Sequence, residues 1–93
     1  MVSDTEVISF IQKQPDGVGQ YACQVFVEGF EKVGKIEKLK ENGSDAEKAL
    51  AAKQLAEMGI PKVWFQEGIE RRYPGYSDED LMMLFSYAAR ATR

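Results

Sequence analysis

Three times in this chain a serine is followed three residues later by Glu or Asp, and then by apolar residues at helical spacing: Ser3…Glu6, Ser44…Glu47 and Ser77…Asp80. Such a serine hydroxyl accepts the backbone N–H three residues on, and the acidic side chain there can return a bond to the serine N–H. Acid in a first turn also faces the positive end of the helix dipole. Three helix starts spread over 93 residues leave little room for a sheet. The stops are equally legible. Pro15 ends the run Val7, Ile8, Phe10, Ile11, and Gly59 closes the Ala-rich run from Ala46 to Met58. Pro61 suits a first helical position, and Pro74-Gly75 stops the helix that begins there.

The stretch from Gly19 to Asn42 admits two readings. As a helix, Cys23, Phe26, Phe30, Val33, Ile36 and Leu39 form one stripe, and Glu28 with Lys32 and Glu31 with Lys35 are favourably oriented i,i+4 pairs. As a hairpin, Val25-Phe26-Val27 would be a strand turning near Glu28-Gly29. The stripe and the charge pairs favour the helix, with Gly29 and Gly34 marking close helix contacts or a bend. The expected fold is all-α, a compact bundle of four to five short helices forming a single domain over 1–93. The expected spans are 4–14, 19–42, 45–58, 61–73 and 78–91. The expected core is Val7, Ile11, Phe26, Phe30, Val33, Leu55, Phe65, Ile69, Leu81, Leu84, Phe85 and Ala88.

Composition narrows the chemistry. The chain has no histidine, so it lacks the commonest general base and the commonest metal ligand. Its one cysteine, Cys23, lies in an apolar stretch with no adjacent positive charge, which predicts a buried and unreactive thiol. Gly17-Val18-Gly19 lacks the Lys-Ser/Thr of a phosphate loop, and Asp78-Glu79-Asp80 is too short for a calcium loop. Neither an enzyme nor a bound cofactor or metal is expected. No run approaches a membrane span, and Val2 to Gln14 has neither a basic start nor an apolar core of the secretory type. The expectation is a cytoplasmic protein.

What remains is binding. Trp64, Phe65, Ile69, Arg71, Arg72, Tyr73 and Tyr76 fall within thirteen residues, and Trp, Tyr and Arg are the types that dominate binding hot spots. Phe65 and Ile69 share one helical face and should point inward. Trp64 and Arg71, seven apart, line up on a neighbouring face, where Trp64 is expected to be at least half exposed with Arg71, Arg72 and Tyr76 as a polar rim. Lys32, Lys35 and Lys38 form a second candidate contact, for an acidic partner. The reading is a non-enzymatic protein-binding module (an adaptor, a complex subunit, or a compact inhibitor of the kind mobile elements encode) that could also pair with itself. The alternative is a DNA-binding regulator, because Ala51 to Gly59 followed by Lys62 to Arg72 has a helix-turn-helix outline. Its second helix, however, begins Pro61-Lys62-Val63-Trp64-Phe65, one Lys and then three large apolar residues, and carries Glu67 and Glu70, and the chain's net charge is −3. Phosphate binding needs the opposite sign, so nucleic acid is the lesser reading.

Overall fold

The computed structural model describes residues 3–92, in which five helices follow one another: α1 (Asp4–Gln12), α2 (Val18–Asn42), α3 (Asp45–Met58), α4 (Pro61–Arg72) and α5 (Asp78–Ala91). The serine starts form as their spacing predicts. Ser3, Ser44 and Ser77 accept the N–H groups of Glu6, Glu47 and Asp80 at 3.2–3.3 Å. At Ser44 the box is reciprocal, its N–H donating to Glu47 Oε1 at 3.1 Å. These bonds from the Ser44 backbone and hydroxyl pull the Glu47 carboxyl below its ordinary pKa.

Two helices end earlier than expected. Helix α1 stops at Gln12 because the N–H groups of Lys13 and Gln14 tighten to the carbonyls of Phe10 and Ile11, three residues back, ahead of Pro15. Helix α4 stops at Arg72 because Tyr73 precedes Pro74, which disfavours helical backbone; Tyr73 has φ −127° and ψ 74°. Residues 25–27 are helical, so the hairpin reading of that stretch falls.

Helix α2 is the spine. Its 25 residues run roughly 37 Å at 1.5 Å per residue, within a molecule 48 Å long and 26 by 24 Å across. It packs against α3, α4 and α5, while α1 lies on α5. Gly43 and Ser44 reverse the chain between α2 and α3, and Ile36 and Ala51 are buried along this hairpin. Phe65, Ile69, Leu84, Val7 and Val18 are the largest side chains fully out of water, with Ala22, Leu81 and Ala88 beside them. Six of the expected core residues are buried: Val7, Phe65, Ile69, Leu81, Leu84 and Ala88. Ile11, Phe26, Val33, Leu55 and Phe85 are only half-buried. Phe30 is 42% exposed, against expectation. Its ring covers the edge of the core, meeting Phe26 at 4.7 Å and Trp64 edge-on at 5.1 Å.

Helices α2 and α4 run antiparallel in a register that their glycines permit. The Trp64 ring lies against Gly29, where a Cβ would come within 2.3 Å of Cζ3. One turn along, Val25 lies against Gly68, where a Cβ would come within 2.6 Å of Cγ1. Another turn along, the Arg72 guanidinium lies over the Tyr21 ring at 5.3 Å, and the Tyr21 hydroxyl donates to the Gly68 carbonyl at 2.7 Å. Each helix thus offers a glycine where the other offers a large side chain. Gly29 marks a close contact, as the sequence suggests, whereas Gly34 has open space around it.

Candidate partner-binding groove

The α2–α4 register leaves a groove of about 590 Å³ along one side of the spine, with the last turn of α3 closing one end. Helix α2 contributes Tyr21, Gln24, Val25, Glu28, Gly29 and Lys32. Helix α3 adds Gln54, Glu57 and Met58, and α4 adds Trp64, Glu67, Gly68 and Arg71. The volume lies in the range of about 300–1,000 Å³ typical of ligand sites. Apolar material from Val25, Met58 and Trp64 meets charge of both signs. Gln24 Nε2 donates to Glu28 Oε1 at 3.1 Å. Among the described residues neither Lys32 nor Arg71 is in an ion pair, so the i,i+4 partners Glu28 and Glu67 leave both cations to solvent.

Trp64 corrects an expectation. It is 8% exposed, not half exposed, because Gly29 lets its ring sink against α2. Its indole N–H is buried with no hydrogen-bond partner in the protein. Trp64 and Arg71 do line one face, and that face is the groove. Lys32, far away in sequence, joins them there. Lys35 and Lys38 sit exposed further along α2 and do not line the groove. Arg72 and Tyr76 are engaged within the chain. The Arg72 guanidinium lies over Tyr21 and, at 5.7 Å, over Tyr73. The Tyr76 hydroxyl donates to Gln14 Oε1 at 2.8 Å, tying the α4–α5 loop to the end of α1. Desolvation there, helped by Asp80 and Tyr73, raises the Tyr76 pKa. The seven sequence candidates therefore divide: Lys32, Trp64 and Arg71 meet, and the other four do not join them.

A second, smaller cleft of about 230 Å³ lies between α4 and α5, lined by Lys62, Phe65, Leu81, Met82, Phe85 and Ser86. Sequence reading missed it. Met82, beside the apolar positions Leu81, Leu84, Phe85 and Ala88 of α5, is 51% exposed there.

The helix-turn-helix outline gains little from the geometry. Helix α4 buries Trp64, Phe65, Gly68 and Ile69, and its outward residues mix Glu67 and Glu70 with Lys62, Arg71 and Arg72. Cys23 is half-buried, and desolvation raises its pKa, the wrong direction for a reactive thiol. Among the described residues no Cys, Asp and Glu cluster is arranged to hold a metal, and no helix is long and apolar enough to cross a membrane. Comparison with protein-family models, with curated proteins and with solved structures finds no match to this chain.

Proposed function

We propose that this protein works by binding another protein, and that the groove between α2, α3 and α4 receives it. One observation carries the reading: Lys32, Trp64 and Arg71, drawn from distant parts of the sequence, line a single groove large enough to take side chains of a partner. Half-buried Val25 and Met58 and the edge of the Trp64 ring, set among polar residues and flanked by Lys32 and Arg71, which among the described residues are in no ion pair, match the mixed composition of a small interface. No histidine and no raised-reactivity thiol accompanies it, so the reading is a non-enzymatic module that acts by occupying its partner.

The test is affinity purification from the native host, with Lys32→Glu and Arg71→Glu as groove variants and Lys62→Glu, on the other cleft, as control. Both reversed residues are exposed, so the fold tolerates the changes. The partner should be lost with the groove variants and retained with Lys62→Glu. Retention by both groove variants would remove the groove from consideration.

A further inference from the structure

The groove's charges are ordered along its length, and the helix register gives the order. The contacts 21/72, 25/68 and 29/64 place each α4 residue at a definite level of α2. Glu67 falls about two residues from the level of Glu28, and Arg71 about two residues from the level of Gln24. The tight turn at Gly43–Ser44 brings Glu57 of α3 to roughly the level of residue 30. From one end of the groove to the other the sequence of charges is Arg71, then Glu67, Glu28 and Glu57, then Lys32. The three acidic residues occupy about 6 Å of helix rise, and the backbone levels of the two basic residues lie about 15 Å apart. Positive ends and a negative middle along the seam of antiparallel α2 and α4, closed at the Lys32 end by the last turn of α3, complement side chains on one face of a rod laid along that seam.

We infer that the groove takes a helical segment of a partner protein in which one basic side chain is flanked, a turn before and a turn after, by acidic side chains. The inference rests on the proposed function and adds the partner's chemistry to it. A helix puts residues i−4, i and i+4 on one face at intervals of about 6 Å. The central Arg or Lys meets Glu67, Glu28 and Glu57, and the two flanking carboxylates reach Arg71 and Lys32. The opposite order, acid–base–acid replaced by base–acid–base, sets like charges against one another at all three levels. Discrimination arises from that repulsion as much as from attraction. A polyanion such as nucleic acid meets the same three carboxylates and is disfavoured. A free cation finds the carboxylates but is flanked by Arg71 and Lys32.

Binding is read by isothermal titration calorimetry on the protein, with emission of its one tryptophan, Trp64, which lines the groove at 8% exposure, as a second signal. The probe is a set of Trp-free helical peptides in a Gln/Ala host, identical except for Glu or Arg at i−4, i and i+4, with an all-Gln control. The Glu–Arg–Glu peptide should bind at least tenfold more tightly than Arg–Glu–Arg and than the control, with the difference shrinking as salt rises. The double variant Glu28→Lys, Glu67→Lys should weaken Glu–Arg–Glu and favour a peptide with Glu at the centre. Circular dichroism of that variant checks that it is folded, and Glu67→Gln provides a milder change with the same direction. Equal binding across the set, a preference for Arg–Glu–Arg, or no binding by any member overturns the inference. A flat peptide ranking together with loss of the native partner by Lys32→Glu and Arg71→Glu leaves the groove as the interface and removes only the helix chemistry assigned to its partner.

Discussion

The same substitution, made twice on α2 five residues apart, should have opposite effects. At Gly34 nothing lies within 4 Å of a new Cβ. Gly34→Ala therefore stabilises the helix, by about 0.5–1 kcal/mol from propensity and from the reduced freedom of the unfolded chain. At Gly29 the same methyl lands 2.3 Å from Trp64 Cζ3 and 2.6 Å from Cε3 and Cη2. Ordinary contact needs about 3.5–4 Å, so the indole must withdraw by more than 1 Å. It is poorly placed to do so, being 92% buried with Phe30 edge-on against it at 5.1 Å. Overpacking of this kind costs about 1–3 kcal/mol, against which the propensity gain recovers less than 1. The expected result is a net loss of about 0.5–2 kcal/mol for Gly29→Ala, and a gap of about 1–3 kcal/mol between the two variants. For a domain this size each kcal/mol moves Tm by about 4–8 °C. Urea unfolding followed by circular dichroism gives the energies, and Trp64 emission shows whether the ring has moved toward solvent. If Gly29→Ala stabilises as much as Gly34→Ala, Trp64 does not lie on Gly29, and the register that builds the groove is wrong.

Three further expectations follow from the same packing. Phe65→Ala, at a side chain 1% exposed, should cost about 3–5 kcal/mol in urea unfolding, whereas Phe30→Ala, at one 42% exposed, should cost clearly less; equal losses would contradict the assigned edge of the core. The Glu47 carboxyl, held down by its bonds to Ser44, should titrate below the model-peptide value in an NMR pH series and return toward it in Ser44→Ala. Because the folded pKa is the lower one, the stabilisation is present above the unfolded value and is lost as pH falls through the folded value; an unshifted Glu47 would mean that the box is open in solution. Cys23, whose thiol is raised by desolvation, should alkylate more slowly than a free thiol at neutral pH, and Cys23→Ser should leave partner binding within a fewfold, so rapid native-state alkylation coupled to lost binding would reverse that assignment.

The local parts of this fold are written in local sequence. Ser44 and Glu47 are three residues apart, and a bond between them needs no knowledge of the rest of the chain. The end of α4 at Arg72 follows from Pro74, which holds Tyr73 out of helical backbone. Trp64 is different. Its burial depends on Gly29, thirty-five residues away, and nothing in the sequence around Trp64 states which residue will face it. The same is true of Phe30, which belongs to a sound helical stripe and still lies at the rim, while the buried positions of α2 fall at Val18, Ala22 and Ile36. The candidate site was half legible for that reason. Residue types and helical spacing pointed to Trp64 and Arg71, and charge pointed to Lys32. Only the antiparallel register of α2 and α4 puts the three together, and only side-chain packing ties Arg72 to Tyr21 and Tyr76 to Gln14.

In the function proposed above, a partner protein occupies the groove between α2, α3 and α4. Hydrogen–deuterium exchange on the free protein and on its complex with the native partner tests it with no substitution at all. Protection on binding should concentrate in residues 24–32, 54–58 and 64–71, with α1 and the outer face of α5 near Met82 unchanged. Protection confined to α1 and α5, with those three segments exchanging as they do in the free protein, would place the interface on the opposite side of the molecule and contradict the account.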